Sequence, residues 1–389
     1  MESSSPLLSG YTVIDLSSVG PASRCSRILA DYGARVIKVG PPPQKNTVQI
    51  KPPFFAYSAG RGLEWIGVDV KAARGREVFM RLAGSADVVV ESFRPGVADR
   101  LGVGHEELRR VNPDLVYCST SGYGQNGPSS RWAGHDLNYL AVGGFLHCSS
   151  RRGDGSPAIP GATVADAAAG GMHAVIAILA ALLSREKGGG GRYLDVSVAE
   201  GVLSLMSLQV DEHLATASEP GPGSGILTGR YACYDLYAAR DGKWLSVAAI
   251  EPVFWSNLCE ALGCPRWSDR QTDDGCQEQI REDLRRIFAG RERDRWIDEL
   301  APLDTCVAPV YSVAELVDDP HFKSRGAIVE VDHPRRGRFR QLAPLLAGMD
   351  RGGHARGNGE RRGDADSVLA SAGFSEEEIK ELRTVGVVA

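Results

Sequence analysis

The stretch TVIDLSSVGPASRCSRILADYGARVIKV, residues 12–39, decides the fold. A β-branched run, TVIDLS, passes through Gly20-Pro21 into a helical pattern over Ala22–Tyr32, and a second strand, RVIKVG, follows. Strand, helix and strand in so short a span form a βαβ unit, which places the two strands parallel in one sheet. The alternation continues outward through LEWIGVDV, a helix over Lys71–Leu82, DVVVESF, a helix around Leu108 and LVYCSTS. Val- and Ile-rich strands with little polar alternation predict a sheet covered by helices on both faces. Ligands are then expected beyond the C-terminal ends of the strands.

The character changes after SEPGPGSG, residues 218–225, where clustered Gly, Pro and Ser disfavour helix and ladder alike and predict a linker or exposed loop. YDLYAA and KWLSVAAI flank Arg240-Asp241-Gly242 as a hairpin, and amphipathic helices start from Pro252, Glu278 and Arg293, so a smaller α+β domain is expected. The Arg- and Gly-rich segment His333–Asp366 is expected to loop over the surface. SEEEIKELR, residues 375–383, opens with a capping-box pattern.

With 389 residues, 43% hydrophobic and 24% charged, the chain has the size and composition of an α/β protein of two or three domains. A net charge of -5 argues against a sequence-independent nucleic-acid partner, which needs a cationic surface. Eight Cys lack any CxxC pair and no apolar leader opens the sequence, so a reducing, cytoplasmic setting is expected. The longest apolar run, Ala167–Leu183, contains Gly170, Gly171 and His173 and is expected to be a buried helix too short for a bilayer, with no membrane partner.

GYGQNG, residues 122–127, matches GxGxxG after a strand, but Pro128 and a polar SSRW follow where a helix should open, so a nicotinamide cofactor is not expected. Metal and serine-nucleophile motifs are absent: there is no HExxH and no GxSxG. Cys259 and Cys264 are more simply buried small residues of one amphipathic helix. Asp166, in GATVADAAAGGMHAVIAILAALL, has a plain structural role open to it, since Thr163 and Asp166 form a T-x-x-D capping box. Its functional alternative is a carboxylate held among small residues beside a space for substrate. His135 and Asp136, in WAGHDLNYLA, follow the glycine loop, and Glu251 precedes Pro252 at a helix start, where a carboxylate suits the dipole.

Read together, these segments resemble the family III coenzyme A transferases and, within them, the α-methylacyl-CoA racemases. The likeness runs in order through LSGYTVIDLSSVGPASRCSRILADYGARVIKV (8–39), VESFRPGVADRLG (90–102), VNPDLVYCSTSGYGQNGP (111–128) and AGHDLNYLAVGGFLH (133–147). It continues through the Asp166 helix, REKGGGGRYLDVSVAEG (185–201), DGKWLSVAAIEPVFW (241–255) and CVAPVYSVAEL (306–316). The resemblance implies an α/β fold with a large Rossmann-like domain at 1–200, a linker helix and loop at 201–225, a small α+β domain at 226–325 and a return segment at 326–389. It also implies an interlocked homodimer.

It further implies catalysis by Asp166 and His135, with Asp136 beside them and Glu251 supporting the His. Coenzyme A enters only as part of the acyl-CoA thioester substrate, with no tightly bound cofactor and no metal. Arg94 and Arg100 match positions near its phosphates, where guanidinium offers paired donors, and Tyr139 is expected to join them. Two departures, Gly40-Pro41-Pro42 and Ala59-Gly60-Arg61-Gly62-Leu63, leave phosphate contacts to be lost or supplied by Lys38 and Arg61. The implied reaction is epimerisation of a 2-methylacyl-CoA through an enolate. The alternatives are acyl-CoA:carboxylate transfer with Asp166 as nucleophile, and a catalytically idle acyl-CoA binding protein.

Overall fold

The computed structural model describes residues 6–17, 19–42, 60–333, 337–345, 347–348 and 365–389. The chain forms two compact units, one of residues 1–144, 160–206 and 324–389, the other of 145–159 and 207–323. Residues 145–159, within the 1–200 span that the resemblance implies for the large domain, group with the smaller unit. That segment holds only one short turn of helix, Phe145–Cys148, and offers no pattern to mark the excursion.

In the larger unit six strands, β1 (Thr12–Asp15), β2 (Arg35–Gly40), β3 (Glu64–Gly67), β4 (Val88–Glu91), β5 (Val116–Ser121) and β6 (Arg192–Ser197), form one sheet. Their order is β3-β2-β1-β4-β5-β6 and every pairing is parallel. This is the doubly wound order, whose switch point lies between β1 and β4. Side chains alternate between two helix-covered faces. Val13, Val36, Val88, Val90 and Val116 pack on α1 (Pro21–Asp31) and on the helix His173–Glu186. Ile14, Ile37, Val39, Ile66 and Val89 face the helix Ala73–Gly84 and the C-terminal residues Val368, Ile379, Leu382 and Val388. The last of these segments also caps β3: Gly67 and Ala389 exchange both N–H···O bonds at 3.0 Å, and Val68 bridges Val388.

The apolar helical run is longer than the sequence suggested. It extends over Ala165–Glu186, 22 residues, which by length and composition suffices to cross a membrane. Ala174, Val175, Ile178, Ala181 and Leu182 of this run nevertheless lie in the sheet core. The segment expected to loop from His333 instead completes a hairpin, Ile328–His333 against Gly337–Leu342. Its remainder from 349 to 364 lies outside the described residues.

In the smaller unit Tyr234–Ala238, Trp244–Ala248 and Val307–Val310 form an antiparallel sheet. Gly242, at φ 75°, turns the hairpin where Arg240-Asp241-Gly242 was expected to. Trp255, Leu258, Cys259, Ile280, Leu284, Phe288 and Trp296 fill its core, and Cys264 is buried with them just past the helix Pro252–Ala261.

Candidate active site

A cavity of about 640 Å³ opens at the C-terminal strand ends of the larger unit. Its walls come from the loop after β1 (Val19–Pro21), the loop after β4 (Ser92–Pro95) and the end of β5 (Thr120–Gly122), so it lies at the switch point. Gly134, His135, Asn138, Tyr139, Asp166 and Arg24 complete it.

Asp166 sits on a wide turn of helix. Residues Ala165–Met172 form a π-helix before the chain tightens into the α-helix from His173. Ala and Gly side chains impose no preference between the two, and packing decides: a Cβ at Gly201 would lie 2.1 Å from the Ala169 carbonyl oxygen, and one at Gly170 2.5 Å from Pro21 Cβ. Such π segments recur at functional sites. The capping box does not form. Thr163 Oγ1 instead accepts from Arg24 Nη2 at 2.6 Å, and the Asp166 N–H donates to Asp136 Oδ1 at 2.8 Å. Asp136 thereby ties the helix it opens, Asp136–Val142, to the Asp166 turn. Burial, then the Asp136 charge, raises the Asp166 carboxyl above the ordinary aspartate range, while Arg24 and His135 pull it down.

His135 is the N-cap of the Asp136–Val142 helix. Its backbone N–H donates to Asn138 Oδ1 at 3.0 Å, which leaves the imidazole at the exposed cavity wall. Tyr139 fills the room left by Gly122, where a Cβ would lie 2.4 Å from its ring, and its hydroxyl donates to the Gly134 carbonyl at 2.6 Å. Burial pushes that phenol up to about 12, so it stays a donor. Ser121 Oγ is buried in the same wall without a hydrogen-bond partner among the described residues. The amide of Gln125 in the glycine loop is already used, donating to the Asp195 carboxylate at 3.0 Å.

The other expected residues separate. Arg94 lines the cavity, and Arg100 folds back over Gly96 from the short helix Val97–Leu101. Lys38 and Arg61 line neither this cavity nor its mouth. Lys38 Nζ lies 2.8 Å from Asp15 Oδ2 in the sheet, with both side chains nearly inaccessible. Arg61 pairs with Asp31 at 3.0 Å and donates to the Leu342 carbonyl. Each cation is thus paired internally with a carboxylate. Ala59, in the second departure, lies outside the described residues. Glu251 belongs to the smaller unit, as N-cap of the helix Pro252–Ala261. Among the described residues no cluster of three or more metal-ligating side chains occurs.

Glu91 escaped the sequence reading. At the end of β4 it is buried, and its Oε2 accepts from the Phe93 N–H at 2.5 Å, fixing the loop that carries Arg94. Burial outweighs this bond and one to Ser119 and raises its carboxyl to about 7. The folded state therefore favours the neutral form; that stability is fully present below the ordinary glutamate range and is lost as pH rises through about 7. Wild type is expected to lose on the order of 3 kcal/mol more than Glu91→Gln between about pH 5 and pH 8 in urea melts. Parallel pH curves for the two proteins would contradict this.

A parallel doubly wound unit with a His and an Asp on one switch-point cavity defines an α/β protein with a built small-molecule site. The chain belongs to CoA-transferase family III, whose family model matches residues 8–355. It is 32% identical over 388 residues to α-methylacyl-CoA racemase of Homo sapiens, covering 98% of this chain and 97% of that one. It is 33% identical over 347 residues to succinyl-CoA:mesaconate CoA-transferase of Haloarcula hispanica, covering 84% and 86%. The crystal structure of a CAIB/BAIF family protein from Brucella suis superposes with a TM-score of 0.77 at 27% identity, covering 94% of this chain and 97% of that one.

Proposed function

We propose that this chain is a cytoplasmic acyl-CoA isomerase that epimerises 2-methylacyl-CoA thioesters by removing and returning the α-proton. The observation that carries the reading is that His135 and Asp166 face one cavity from two different elements, tied by the Asp136 bond. Two proton carriers on opposite faces of the α-carbon invert it, one taking a proton while the other supplies one. The raised Asp166 carboxyl is matched to that exchange better than an ordinary aspartate. Arg94 and Arg100 hold the coenzyme phosphates.

The likeness to a CoA-transferase of nearly equal identity favours one second reading, in which Asp166 attacks the thioester carbon and carries an acyl intermediate. Incubating a 2-methylacyl-CoA in deuterated water, with and without a free carboxylic acid, separates the two. The isomerase deuterates the α-carbon and interconverts the epimers without needing the acid. Efficient transfer to the acid with no α-deuterium sinks the isomerase reading.

We also propose a homodimer as the working form. Its support is the exposed apolar set Met172, Ile176, Leu183, Leu203 and Leu205 of the larger unit. Sedimentation is expected to give twice the chain mass at assay concentration, and an active monomer would refute it.

A further inference from the structure

Arg24 is the cavity residue that the proposed chemistry leaves unused. It stands on α1, and Gly171 brings it against the Asp166 turn: a Cβ at Gly171 would lie 2.9 Å from Arg24 Cβ and 3.0 Å from the Asp166 carbonyl oxygen. One guanidinium N–H is held by Thr163 Oγ1 at 2.6 Å, three residues before Asp166. That bond holds the cation beside the turn that carries the reacting carboxylate, on the wall of the same cavity. No carboxylate lies within ion-pair distance of it among the described residues, in contrast to Arg27, Arg35 and Arg61 of the same unit. The planar fork keeps further donors beyond the one Thr163 engages, and Arg24 lines the cavity.

The position excludes the coenzyme phosphates as its ligand. When a thioester carbonyl sits at Asp166, the whole pantetheine arm separates it from the diphosphate, so an anion meeting Arg24 must belong to the acyl group. A purely hydrocarbon acyl chain would instead strip water from the guanidinium donors that Thr163 does not engage, which is unfavourable. We infer that the acyl group this enzyme prefers carries a second carboxylate within a few bonds of the α-carbon, and that Arg24 is the residue that selects it. The inference rests on the acyl-CoA reading above and narrows its substrate class. Electrostatics agree with the placement: burial raises the Asp166 carboxyl most, and Arg24 is the first group to oppose that rise.

The test compares two thioesters of matched shape. One is 2-methylsuccinyl-CoA with the thioester beside the methyl-bearing carbon; the other is 2,4-dimethylpentanoyl-CoA, in which an isopropyl group replaces the free carboxylate. Wild type is expected to show kcat/KM at least about tenfold higher for the charged thioester, the scale of one charge-assisted hydrogen bond. Arg24→Gln should bring the ratio to about one, on top of any change common to both substrates from removing a cation near Asp166, and Arg24→Lys should recover part of the ratio. A wild-type ratio below about threefold overturns the proposal without any variant, and so does an Arg24→Gln protein that loses both substrates equally. Absence of α-deuteration from both thioesters, with CoA exchange into labelled free acid, would sink the isomerase reading instead. The Arg24 preference is then read on the exchange rates of the two acids.

Discussion

Asp166→Asn is expected to lower α-proton exchange of a 2-methylacyl-CoA in deuterated water by about 10²–10⁴-fold, the usual worth of a positioned general base. The amide keeps the shape of the side chain and the backbone bond to Asp136, so the loss reports the carboxylate and not the fold. His135→Ala should act on the other face. Each variant then abolishes epimer interconversion while slow exchange persists for the epimer whose proton the surviving base can reach. Because the Asp166 carboxyl is raised, the basic form is lost at a higher pH than for an ordinary aspartate, and exchange should fall with acid through that higher range. Under the transfer reading the pattern differs: Asp166→Asn removes an acyl-enzyme trapped by hydroxylamine, whereas His135→Ala leaves transfer largely intact. Equal loss of both faces in each single variant would refute the two-base arrangement.

Asp15→Ala should be the most damaging single change in the sheet. Asp15 is fully buried; it accepts from Lys38 Nζ at 2.8 Å and from the Ser17 N–H at 2.6 Å. Removing it leaves an ammonium inside the sheet with only the Ser17 hydroxyl, 3.3 Å away, as partner. Breaking a buried pair from one side costs about 3–5 kcal/mol. Replacing both partners, Asp15→Leu with Lys38→Met, should recover most of that, because an apolar pair of similar volume is often neutral. Urea melts of the single and double variants measure this. A single variant within about 1 kcal/mol of wild type would mean that Lys38 finds another partner or sheds its proton.

The same pair explains one limit of reading the sequence. Lys38 stands near the C-terminal end of β2, toward the ligand end of the sheet, so its charge invites a phosphate contact. Its actual partner is on β1, and only the parallel register Asp15↔Lys38 sets the two side by side. The strands themselves were legible because residues such as Val13 and Ile14 serve opposite buried faces, which produces continuous apolar runs. His135 and Asp166 were legible as separate signals, and the fold brings both to one cavity. Arg24 and Ser121 carried no signal, since an Arg on an amphipathic helix and a Ser at a strand end are ordinary until their neighbours are known. The π-helix was hidden for a related reason: Ala-Gly repeats fit either winding, and the choice falls to Pro21, Val198 and the Ala169 carbonyl pressing on the glycines.

The cap that residues 365–389 place on β3 makes the larger unit a late-closing structure. Val368, Ile379, Leu382 and Val388 complete one face of the core, yet they follow the strands they cover only after the entire smaller unit. Until they arrive, Ile66 and Val68 keep an open apolar face, and the β3 edge lacks the Gly67–Ala389 hydrogen bonds. Such non-local closure carries a large loop entropy and slows folding. An early strand edge left bare while the chain is still being made is a place for intermolecular pairing. Recovery of this protein during synthesis is therefore governed by how long that edge waits, and holdase chaperones acting on the N-terminal half should raise its yield more than changes at the site.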